Sequence, residues 1–188
     1  MTIPNSVIFI GQSAFYACSE LESIVIPNGI TIIERDSFYG CGLTNLTIPD
    51  SVITIGYSAF NNCSKLKNVH IGKGVRNIEA HAFGSCYALE TVTIEDGLTT
   101  IGSNAFWLSG KPKMVIPTSV TTIASNAFVS SYLPTVYYKG TEQEWNLINF
   151  SGNNCITKAS RYYYSATSPT DEGNYWHYDE NSMTILEW

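Results

Sequence analysis

The feature that most constrains this chain is a row of phenylalanines. Phe15, Phe38, Phe60, Phe83, Phe106 and Phe128 are spaced by 23, 22, 23, 23 and 22 residues, and only Phe9 and Phe150 stand outside the row. Twelve residues before each lies an isoleucine: Ile3, Ile26, Ile48, Ile71, Ile94 and Ile116. Two further rows run between them, Val7, Ile30, Val52, Val75, Leu98, Val120 and Ile10, Ile33, Ile55, Ile78, Ile101, Ile123. A fixed period of this length is the signature of a stacked-repeat architecture, in which each unit buries its apolar residues only against its neighbours.

Residues 43–65 show what one unit does. Leu43, Leu46 and Ile48 alternate as a short strand with one buried face, and Pro49 ends it by removing a ladder donor. Val52 to Ile55 forms a second short extended segment. The stretch Ser58, Ala59, Phe60 is too short for an α-helix and is expected to be a turn or 3₁₀ coil that drops its ring inward. A unit this small cannot fold alone, so the expected fold is a repeat solenoid, mainly β, with short parallel strands joined by turns. Its crossovers should be right-handed on general chiral grounds.

The pattern L-x-x-I-x-I-P-x-x-V-x-x-I-x-x-x-A-F-x-x-C, carried by residues 43–63 and 21–41, resembles the BspA-like leucine-rich repeats of bacterial cell-surface proteins. The resemblance runs from residue 1 to about 138. It implies a right-handed leucine-rich-repeat solenoid, a cell-surface or secreted location, and adhesion to a protein or glycan on another cell. Departures are local: Ser109 and Ser131 stand in the cysteine row, and Lys111 replaces the leading leucine.

Cys18, Cys41, Cys63 and Cys86 fall three residues after successive phenylalanines and form a fifth inward row. Buried free thiols are the preferred reading, because parallel side chains one strand spacing apart have poor disulfide geometry. Disulfides and a metal site stay open as alternatives, although no C-x-x-C pair or neighbouring histidine supports zinc. Cys155 lies outside the repeat and is expected in a C-terminal cap. His70, His81 and His177 are far apart in the repeat scheme and are expected at the surface, with His70 on the outer face of the main strand row. Asn45, Asn62 and Asn149 match the glycosylation sequon by residue type but are discounted, Asn62 because a core cysteine follows it.

Three segments follow from the pattern: six repeats and a final strand over 1–138, a cap over 139–165, and a β-hairpin tail over 166–188. In the cap, Thr141 and Glu144 have capping-box spacing, which predicts a short helix over 142–148 with Trp145 and Ile148 on its apolar face. The tail GNYWHYDENSMTILEW predicts two strands around Asp179 to Ser182, and it resembles the tail after the repeats in some gut-bacterial members of the same family. Trp176, Tyr178 and Trp188 are candidate tail contacts, expected first of all to hold the hairpin to its neighbour. At the opposite end Met1 occupies a core strand position with no cap before it, so upstream sequence or a second copy is expected there.

A net charge of −6 and a pI near 4.9 leave no basic surface for nucleic acid. No apolar run approaches the roughly 18 residues that span a bilayer, so no membrane insertion is expected of this segment, and it reads as soluble with no leader of its own. The outward columns of the strand row can be named. One holds Ser23, Asn45, Asn68, Thr91, Lys113 and Thr135; the next holds Val25, Thr47, His70, Thr93, Val115 and Tyr137. The candidate partner-binding face is therefore Asn45, Thr47, Asn68, His70, Thr91, Thr93, Lys113 and Val115. It carries too few clustered carboxylates or cations for the polysaccharide lyase chemistry of similar coils, so a non-catalytic module without a cofactor is expected. A structural spacer presenting the hairpin or a further domain is the alternative.

Overall fold

The computed structural model describes residues 1–129, 135–152, 155–170, 172–179 and 185–188. The elements run β1 (Ile32–Ile33), β2 (Asn45–Ile48), β3 (Thr54–Ile55), β4 (Asn68–Ile71), β5 (Asn77–Ile78), β6 (Thr91–Ile94), β7 (Thr100–Ile101), β8 (Lys113–Ile116), β9 (Thr122–Ile123) and β10 (Thr135–Tyr138). They end with α1 (Glu142–Trp145), β11 (Asn149–Phe150), β12 (Ser160–Tyr164), β13 (Tyr175–Tyr178) and β14 (Ile185–Glu187). Two sheets result. The long one orders its strands β14-β13-β12-β10-β8-β6-β4-β2, and the other, built of two-residue strands, β1-β3-β5-β7-β9-β11. Among the described residues every pairing is parallel except β13 with β14, which makes the molecule a β-solenoid with almost no helix.

Burial alternates along each long strand: in β2, Asn45 and Thr47 are exposed while Leu46 and Ile48 are buried. The three aliphatic rows are buried from the second coil onward, and the phenylalanine row forms one continuous stack. Successive rings from Phe15 to Phe128 lie 5.1 to 5.4 Å apart and within 9° of parallel. Such an offset stack is a favourable arrangement for rings that must also exclude water.

The turn around each phenylalanine forms a third ladder. The amides of Phe38, Phe60, Phe83 and Phe106 each donate to the carbonyl of the alanine one residue before the next phenylalanine, at 2.8 to 2.9 Å. Left-handed residues bracket these turns. Ser58 (φ 53) and Asn62 (φ 60) flank Phe60, and His81 (φ 60) and Ser85 (φ 57) flank Phe83. Left-handed backbone at both ends folds the chain tightly round the ring while its amide still faces the next coil.

The cysteine row serves the same stacking. Cys41, Cys63 and Cys86 donate through Sγ to the carbonyls of Phe15, Phe38 and Phe60 in the preceding coil, at 3.1, 3.2 and 3.3 Å. Ser109 donates from its hydroxyl to Phe83 in the same way, so the departure in the fifth repeat keeps the donor. All four repeat cysteines are free thiols. Cys18, in the first coil, differs from expectation: it is exposed. Burial, followed by the neighbouring thiol, pushes Cys41 up to about 11 and Cys63 up to about 12, and Cys86 well above the ordinary value.

The C-terminal part departs further. The capping box forms as expected, with Thr141 Oγ1 accepting from the Glu144 amide at 3.3 Å and the Glu144 carboxylate accepting from the Thr141 amide at 2.8 Å. Donation from the Thr141 amide, and then from its hydroxyl, holds the Glu144 carboxyl below its ordinary value. The helix stops at Trp145 and does not reach residue 148, because Leu147 and Ile148 close three-residue turns back to Glu144 and Trp145 and Asn149 must extend to pair with β9. This segment is thus a seventh coil, in which Phe150 takes the register of Ile123 and Trp145 is buried edge-on against Tyr138 at 5.3 Å. The long sheet also continues past Tyr138 through β12 and β13 before the hairpin closes it. Ser131, the Ser182 end of the expected hairpin turn and the side chain of Cys155 lie outside the described residues.

Candidate binding groove

The parallel register aligns the outward columns. Asn45 pairs with Asn68, Asn68 with Thr91 and Thr91 with Lys113; beside them run Thr47, His70, Thr93 and Val115. Asn68 Nδ2 donates to Asn45 Oδ1 at 2.8 Å, a side-chain rung on top of the backbone ladder. Asn45, Thr47, Asn68, Thr91 and Lys113 are exposed, and His70 and Thr93 half-buried.

Val115 departs from the expected face: it is only 5% exposed. The tail covers it. Parallel pairing of β10 with β12 sets Tyr162 beside Tyr137, and the sheet then curls so that Trp176 and Ile185 pack over Val115 and Tyr137. Trp176 is fully buried, lies 5.9 Å from Tyr137, and donates through Nε1 to the Tyr138 carbonyl at 2.9 Å. Tyr137 Oη donates to Glu187 Oε1 at 2.6 Å and fixes β14 to the sheet face. Burial, reinforced by that carboxylate, raises the Tyr137 phenol well above its ordinary value.

Trp176 is therefore a packing residue with no surface to offer. Trp188 remains 49% exposed, stacked on His177 at 4.0 Å and donating through Nε1 to the Ser165 carbonyl, on the other side of the tail. Tyr178 is the tail candidate that the structure brings to the strand columns. A groove of about 540 Å³ runs between His70, Thr91, Thr93 and Lys113 on one wall and Tyr178 and Ile185 on the other. Glu95 and Lys139 stand in its lining, Lys139 being paired with Asp96 at 3.1 Å. A shallower cleft of about 480 Å³ shares His70, Thr91 and Thr93 and continues over Asn68, Thr47 and Asn45 toward Val25.

Sequence reasoning missed Ile185, whose place on the groove depends on the curl of the sheet. It expected His81 and His177 at the surface and His70 on the outer face of the strand row. His81 is half-buried between Tyr57 and Trp107, at ring distances of 5.6 and 6.5 Å, and His70 forms part of the groove wall.

Stacked coils, an aligned polar face and a flanking wall define a repeat scaffold. The family described as BspA type leucine rich repeat region matches six copies over residues 1–111 and 31–157. This chain belongs to that family. A leucine rich cell surface protein of Faecalibacterium prausnitzii A2-165 shares the fold with a TM-score of 0.62 and 28% identity, over 79% of this chain and 50% of its own. The chain thus spans about half the length of that protein. A leucine rich repeat protein of T. pallidum, 22% identical with a TM-score of 0.52 over 88% of this chain and 73% of its own, shares the fold. No curated protein matches the chain.

Proposed function

We propose that this chain is the non-catalytic binding module of a cell-surface or secreted protein, and that it takes a protein or glycan on another cell in the groove between the strand columns and the hairpin. The observation that carries this reading is the second wall. Tyr178 and Ile185 convert an open sheet face into a cleft that can surround a ligand group and exclude water from it. The columns are small and nearly uncharged, so recognition rests on shape and hydrogen bonds with little electrostatic steering. Family membership supports an interaction role, and the description of the F. prausnitzii protein as a cell surface protein supports the location.

The experiment is a screen of the full chain against host matrix proteins and a glycan array, followed by variants of any hit. Thr93→Arg and His70→Trp fill the groove from its strand wall, and each should lower affinity by about tenfold or more, the equivalent of ~1.4 kcal/mol. Trp188→Ala, on the far side of the tail, should leave affinity unchanged. The reverse pattern would make the solenoid a spacer for its tail and overturn the groove.

A further inference from the structure

A second cleft lies behind the tail, on the face of β12 and β13 that continues from the core-facing Tyr138. The register Tyr163 with Tyr175 sets these rings side by side, and the register Tyr138 with Tyr163 assigns them to the inner face. Thr141 to Gln143, Arg161 and the 172–174 segment complete a cavity of about 570 Å³, within the roughly 300–1,000 Å³ of small-molecule clefts.

Its lining has a particular chemistry. Tyr163 has its hydroxyl buried beside the Arg161 guanidinium. Glu142 and Glu172 are exposed at the cavity, and the Gln143 and Asn174 amides can both donate and accept there. The Tyr175 ring lies close to Gly173, where an added Cβ would come within 2.6 Å of the ring. A cleft with an aromatic surface and a ring of mixed donors and acceptors fits a ligand that has an apolar face and many hydroxyls. Two carboxylates against one guanidinium disfavour anions, and the guanidinium disfavours ammonium groups.

We propose that this cleft binds a neutral saccharide unit, laid against Tyr175 and hydrogen-bonded by Arg161, Glu142, Glu172 and Asn174. The site is separate from the groove and does not depend on what the groove binds.

Saturation-transfer NMR on the full chain tests it, with glucose, galactose, mannose and N-acetylglucosamine as probes and glucuronate and inorganic phosphate as charged controls. At least one neutral sugar should receive saturation, and neither control should. Tyr175→Ala should weaken that binding about tenfold. Glu172→Gln, an exposed change that leaves the core untouched, should weaken it severalfold. Thr93→Arg in the groove should leave it intact, so failure of one site is distinguishable from failure of the other. Binding of no neutral sugar at millimolar concentration, binding of the charged controls instead, or sugar binding indifferent to both cleft variants would each overturn the proposal.

Discussion

Cys63 and Ser109 occupy equivalent positions and donate to equivalent carbonyls, one through sulfur and one through oxygen. Cys63→Ser should therefore be tolerated, with a loss under about 1 kcal/mol in denaturant melts, because the row asks for a small donor and not for a thiol. The thiols also set an alkaline limit. The folded chain keeps the protons of Cys41 and Cys63 up to about 11 and 12, while the unfolded chain releases them near the ordinary 9.0. Stability from these groups is fully present below pH 9.0 and falls as pH rises toward their folded values. A Cys41→Ser, Cys63→Ser, Cys86→Ser triple variant should show a flatter decline between those limits, and an unchanged slope would assign the decline elsewhere. For the ring stack, Phe60→Ala should cost about 3–5 kcal/mol, since a coil held on both sides cannot collapse into the gap. At the turn, Ala17 is exposed at φ 57, so Ala17→Gly should raise stability by about 1 kcal/mol, measured in the same melts.

The tail hairpin depends on one side chain more than any other. Trp176→Ala empties the site between Val115, Tyr137 and Tyr178 and leaves the Tyr138 carbonyl without its indole partner. Amide exchange in β13 and β14 should accelerate as if about 3–5 kcal/mol of local stability were lost, while the β4, β6 and β8 amides keep their protection. Loss of protection throughout would mean that tail and coils unfold as one unit. The sequence shows where this difference of scale arises. The coils are legible because alternation along a strand and a period of 22 or 23 residues are both properties of side-chain order. The seventh coil is hidden because the α1 turn lengthens it, so that Phe150 follows its register partner Ile123 by 27 positions. The curl of the tail is hidden for a different reason. The run Arg161 to Tyr164 places aromatic rings on both faces of β12, so alternation gives no clue to which face is covered. The polar columns could be written down from the sequence, but the second wall of the groove could not, and with it went the burial of Val115 and the role of Ile185.

For the whole molecule, the decisive fact is direction. The parallel ladders of both sheets and the turn ladder run along one axis, and among the described residues the ladder bonds of each coil go to the coils on either side of it. Stability should accordingly follow a nearest-neighbour sum, and deleting one complete coil, residues 66–88, should lower the melting midpoint without abolishing cooperative folding. A chain built this way also has a mechanical grain. Force applied between its ends loads the ladders at the terminal coil first, so the coils should peel off singly while those behind them stay closed. In a single-molecule pulling experiment each event should release 22 or 23 residues, a step of roughly 80 Å at about 3.5 Å per extended residue. The same molecule pulled across its coils would have to shear several ladders together, and should hold to much higher force before it gives way all at once.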